Sequence, residues 1–136
     1  MTRLARPVCC RSVSLVTGLM VSSFASLAHA DPWPQSVEQH YATQCVLVHQ
    51  ERWQGVPVDK IERLCACKVK ELTSLGAWAQ YQEAFKTVTP QGMEQFVALP
   101  KADQEEVLAM DNPGVVKLVL LRMIRAEETC SDEILR

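Results

Sequence analysis

The chemically versatile side chains of this sequence gather in three places. Cys45 and His49 stand four residues apart, Cys65 and Cys67 form a C-x-C pair, and Cys130 lies near the end. Three chemistries suit that set. Cys45, His49, Cys65 and Cys67 are soft ligands of the kind that bind zinc or Cu(I). A C-x-C dithiol beside Lys68 and Lys70 could hold a reactive thiolate and exchange disulfides. Alternatively the four cysteines pair off as structural crosslinks, the usual arrangement in small exported domains. The even count favours crosslinks. Cys45, Cys65, Cys67 and Cys130 are therefore read as two disulfides, with no metal, cofactor or catalytic role assigned to any residue.

Helix geometry narrows the pairing. At 100° per residue, Val58, Ile61, Cys65, Val69 and Leu72 fall within about 40° of one line, an apolar stripe with Cys65 at its middle. On the same wheel Cys67 lies about 200° away, beside Lys60, Arg63, Lys70 and Ser74. The two sulfurs leave opposite sides of one helix. A bond between them would require unwinding it, because disulfide-linked Cα atoms lie within roughly 7 Å and their Cβ vectors converge. Cys45 sits near the edge of a second stripe, Val37, Tyr41 and Val48. The turn Gly55-Val56-Pro57 lies about midway between Cys45 and Cys65, so a helical hairpin would bring them level. Cys130 stands among Glu127, Glu128, Ser131 and Asp132, a polar setting like that of Cys67. These positions favour Cys45–Cys65 with Cys67–Cys130 over the swapped pairing.

Other candidates carry less chemistry. His40 and His49 have no serine or acid at a spacing that suggests a triad. Glu105-Glu106 and Glu127-Glu128 read as solvated helix faces rather than acid–base pairs. Met93, Met110 and Met123 are scattered and suit core filling. Trp33, Trp53 and Trp78 read as packing residues, although Trp33, between two prolines, could sit at the surface.

The elements that would hold these residues are helices. Ser36-Val37-Glu38-Gln39 has a capping-box pattern and predicts a helix running to about Trp53. Pro57 suits the first turn of a second helix, which Ser74 and Gly76 interrupt. Ala77 to Thr87 places Trp78, Tyr81 and Phe85 at helical spacing. Thr89-Pro90 predicts a cap and first turn of a short helix that Pro100 closes, and another runs from about Asp103 to Met110. Asn112-Pro113 caps a last helix reaching about Glu128. Between Val115 and Ile124 only Lys117 and Arg122 are polar, so this helix should be central and buried, or keep one face open for a partner. No strand alternation or internal repeat appears. The fold class is all-α: a compact bundle of about five to six short helices with two disulfides.

The first thirty residues read differently. Arg3, Arg6 and Arg11 precede an apolar stretch from Val13 to Leu27, and Ala28-His29-Ala30 has the small-x-small form of a signal-peptidase site. Cleavage after Ala30 would leave residues 31–136 as one helical, disulfide-stapled domain. Cys9 and Cys10 lie before the apolar stretch, which argues against lipid attachment, and no adjacent arginine pair marks the twin-arginine route. The apolar stretch is too short and serine-rich for a membrane span.

Of 14 Lys and Arg, three precede Ala30, and all 16 Asp and Glu follow it. The portion from Asp31 onward thus carries 11 basic against 16 acidic residues, a net −5. That balance disfavours nucleic acid and anionic membrane surfaces as partners, and suits as partner a soluble periplasmic protein with a basic face.

The pattern resembles a broad group of short exported bacterial proteins, mostly uncharacterised. They have a lone cysteine in the first helix, a C-x-C in the second and a cysteine near the end. Cys45, the run Leu64-Cys65-Ala66-Cys67-Lys68, and Cys130 carry that resemblance. It is also similar, more loosely, to helical periplasmic immunity proteins that block type VI secretion effectors. The resemblance implies a periplasmic setting. The sequence therefore points to an exported, non-enzymatic protein-binding domain, of immunity type or an envelope-stress factor. The competing readings are a metal-binding or thiol-redox protein that uses the C-x-C pair, and a purely structural envelope component.

Overall fold

The computed structural model describes residues 31–136. The export layout read for residues 1–30, with Cys9 and Cys10, lies outside the described residues. Six helices follow one another: α1 (Gln35–Arg52), α2 (Val58–Leu75), α3 (Trp78–Phe85), α4 (Pro90–Val97), α5 (Lys101–Ala109) and α6 (Gly114–Leu135). Among the described residues there is no strand, and no helix is long and apolar enough to cross a membrane.

The hairpin of α1 and α2 forms because Gly55 can take a positive φ of 89°, a conformation that costs other residues a Cβ clash. Helix α6 packs along α2 at the centre, and α1, α3 and α4 close around the pair. The inward line of α6 is Val116, Val119, Leu120, Met123, Ala126 and Cys130, which share one helical face. Its opposite side leaves Leu118 and Leu121 exposed. Helix α6 is thus central, with one face open.

Several boundaries differ from the sequence expectation. The capping box at Ser36 does not form. Helix α1 starts at Gln35 with no side-chain cap, and the Pro34 carbonyl accepts from the amides of Val37 (2.9 Å) and Glu38 (3.1 Å) instead. The cause lies just upstream. Trp33 is 4 % exposed, not at the surface, and packs its ring against Tyr41, Trp78, Tyr81 and Phe85. The amide of Trp78 donates to the Asp31 carbonyl at 3.0 Å, so the segment before α1 is fixed from both sides. At Thr89 the expected cap is present, its hydroxyl accepting from the Gly92 amide at 3.1 Å. Asn112 does not cap α6; its side-chain amide donates to the Val107 carbonyl at 3.1 Å. Helix α6 also runs past Glu128 to Leu135, because buried Cys130 holds its last turns against α2.

Helix α5 stands apart. It has no buried residue, and only Val107 and Leu108 reach the core's edge. Its attachment is largely polar. The Gln104 side-chain amide donates to the carbonyls of Val97 (3.1 Å) and Leu99 (3.2 Å), closing the end of α4.

Candidate functional site: a buried charge network and an acid-rimmed cleft

The four cysteines occupy two bonds. Cys45 is joined to Cys65, and Cys67 to Cys130, each with Cα atoms 5.8 Å apart. The sulfurs of Cys65 and Cys67 therefore go to different helices. Closing loops with sequence separations of 20 and 63 residues, the bonds contribute about 3 and 4 kcal/mol in the chain-entropy model. The setting of Cys130 differs from the polar one read from its neighbours: it is fully buried, because it continues the Met123–Ala126 face of α6. Cys45, Cys65 and His49 do come together, with Cys45 Sγ 3.8 Å from His49 Nδ1. Both sulfurs are disulfide sulfurs, however, and the metal ligand is the thiolate.

Directly beside this disulfide lies a network that the sequence did not announce. Tyr41 and His49 from α1, Lys68 from α2 and Glu94 from α4 are all 0 % exposed, and Glu127 from α6 completes the group. The Lys68 ammonium sits between two carboxylates, 2.5 Å from Glu94 Oε2 and 2.7 Å from Glu127 Oε2. The second contact is an ion pair without hydrogen-bond geometry, since Glu127 Oε2 has no hydrogen-bonding partner. The Tyr41 hydroxyl donates to Glu94 Oε1. His49 Nδ1 lies 2.9 Å from the Cys45 carbonyl, and Nε2 lies 3.2 Å from Glu127 Oε1. Both ring nitrogens thus face acceptors, which an imidazolium would satisfy with two donated hydrogen bonds.

Protonation follows from these contacts. Burial, together with Glu94, pushes the Tyr41 hydroxyl well above its ordinary range, so it stays a donor. For Glu127, burial alone would raise the carboxyl. The hydrogen bond from His49 and the charges of Lys68 and His49 outweigh it and bring the carboxyl down to about 2. Arg52, at the rim 3.9 Å away, adds a weaker contact.

His49, Glu94 and Glu127 place their ligand atoms close enough together for a metal ion. The Lys68 ammonium already stands between the two carboxylates as the cation they require. Four of the five side chains are sealed from solvent, and Glu127 is 14 % exposed. The network ties α1, α2, α4 and α6 together and fixes their register.

Glu127, read above as part of a solvated face, is therefore half-buried and paired, and Lys68, read above as a neighbour of the C-x-C thiols, is buried between two carboxylates. A signal was present. Lys68 is three residues after Cys65 and four before Leu72, on the inward stripe of α2. Glu127 falls between Met123 and Cys130 at spacings of four and three. Glu94, next to Met93 in a short helix, offered no such pattern.

A second site lies on the surface, in a cleft of about 280 Å³ between α4, α5 and α6. Phe96, Val116 and Leu120 are its most buried walls, and Val88, Leu99 and Val107 form its sides. Asp103, one turn before the lining residue Val107, and Asp111, next to Asn112, are exposed beside it, while Glu105, which lines a separate cleft with Lys101, and Glu106 are exposed elsewhere on α5. None of them joins an ion pair among the described residues. Exposed Asp59, Glu83 and Asp132 are each paired with a basic residue three or four positions along the same helix or helix end, whereas Glu51, Glu62 and Glu128 are exposed and unpaired like the acids of α5.

No protein-family model, curated protein or solved structure matches this chain.

Proposed function

We propose that this chain is an exported, non-enzymatic protein-binding domain whose partner is a soluble periplasmic or secreted protein with a basic face. One observation carries the reading: the unpaired carboxylates of Asp103, Glu105, Glu106 and Asp111 on the outside of the molecule. Exposed like charges without internal counter-ions raise the local potential and attract a complementary surface. The export layout of the first thirty residues and the two disulfides support the compartment. The sealed charge network supports a scaffold rather than a catalyst, since chemistry needs groups that a substrate can touch. An immunity-type role or an envelope-stress role would use such a rigid scaffold in the same way.

The test is purification of the tagged chain from the exported fraction of producing cells, at low and at high salt. We expect one stoichiometric protein partner of basic isoelectric point at low salt, released as salt screens the contact. A chain that elutes alone at low salt, or that carries stoichiometric zinc or copper, overturns this function.

A further inference from the structure

We infer that the cleft between α4, α5 and α6 takes one large apolar side chain from a cationic segment of the partner, whose Lys or Arg residues meet the carboxylates of Asp103 and Asp111. The inference rests on the protein-binding reading above and supplies its surface and the chemistry of the partner.

Size decides the class of occupant first. A cleft of about 280 Å³ falls just below the roughly 300–1,000 Å³ typical of small-molecule and cofactor sites. It has no room for a nucleotide or an extended cofactor, yet it accepts a leucine- or phenylalanine-sized group. The lining agrees. Its walls are apolar, and of its two polar side chains Asn112 is already committed to the Val107 carbonyl. Nothing inside the cleft would recognise a charged head group. Leu99, one of the lining residues, is 37 % exposed and carries the apolar surface outward from the mouth.

Charge then decides the flanks of that segment. Asp103 lies one helical turn before Val107, on the cleft side of α5, and Asp111 adjoins the cleft residue Asn112. Neither Asp103 nor Asp111 joins an ion pair among the described residues, so their charge has no neutralising partner of its own. Hydrogen bonds from Gln104 to the end of α4 hold one wall against the other, so the cleft exists before any partner arrives. An apolar anchor surrounded by complementary charge is the arrangement in which burial supplies affinity and the rim supplies selectivity.

The experiment uses the disulfide-bonded exported chain, isotopically labelled, and two synthetic probes. One is a short Lys-Ala peptide bearing a single Phe; the other has Ser in place of Phe. We expect the Phe peptide to shift the amide resonances of Phe96, Leu99, Val107 and Leu120, and to bind about 10-fold more tightly than its Ser counterpart. Asp103→Lys/Asp111→Lys should weaken that binding through charge. Gln95→Trp, at an exposed edge of the cleft, should weaken it by obstruction while far-ultraviolet circular dichroism stays unchanged. Equal affinity for the two peptides, or shifts confined to another face, overturns the inference. So does tight uptake of toluene that is indifferent to the charge reversals, which would make the cleft a small-molecule site. Capture of a cellular partner unaffected by all of these substitutions removes the cleft but leaves the binding function standing. Absence of any captured partner removes the function itself.

Discussion

Glu94 and Glu127 face inward against Lys68 and His49, whereas Asp103, Glu105, Glu106 and Asp111 face outward with no counter-charge. The chain thus uses carboxylates in two opposite ways. Inside, each is matched by a cation within hydrogen-bonding reach, because an unmatched buried charge costs several kcal/mol. Outside, water solvates the carboxylates of α5, so leaving them unpaired costs little and keeps their field available to another molecule. The comparison teaches that charge count alone says nothing about role. The net −5 of the portion from Asp31 onward mixes acids whose charge is cancelled inside the bundle with acids that define its surface.

The comparison breaks most visibly at Lys68. Lys68→Met keeps the bulk but leaves Glu94 and Glu127 close together without their shared cation. Urea unfolding should show a loss of about 3–5 kcal/mol. A loss under about 1 kcal/mol would mean that the network contributes nothing beyond packing.

Acid gives the next largest effect. The folded carboxyl of Glu127 is lowered from 4.5 to about 2, so its contribution is fully present above the unfolded value and disappears as pH falls through the folded one. That amounts to about 3 kcal/mol lost between pH 4.5 and 2. Glu127→Gln should flatten this part of the stability–pH curve, as measured by denaturation at stepped pH. An unchanged slope would place the acid sensitivity elsewhere.

The smallest effect should come from α5. Asp103→Asn and Glu106→Asn remove exposed, unpaired charges, and each should change stability by less than about 0.5 kcal/mol. A clear gain from both would indicate mutual repulsion within α5, and the contrast with the buried pair would then be one of strain as well as exposure.

Punctuation and periodicity in the sequence carried the helical class, the hairpin at Gly55, the Thr89 cap and the placement of Cys65 and Cys67 on opposite sides of α2. These depend on local backbone chemistry and the 100° step of a helix, which a single segment contains in full. The failures were of another kind. Ser36 has the residues of a capping box, but a tryptophan three positions earlier is anchored in the core and sets where the helix begins. Glu127 has polar neighbours along the chain, but its own side chain turns toward α2.

By itself, then, the sequence determined which stretches coil and which faces of them are apolar, because both follow from neighbours a few residues away. Only the tertiary structure decided that Lys68, Glu94, Glu127, His49 and Tyr41 meet, and that an acidic helix stands over an apolar cleft. Charges brought together by four helices have no signature within any one of them. Their partnership is a property of distance in space, and that is settled only when the bundle closes.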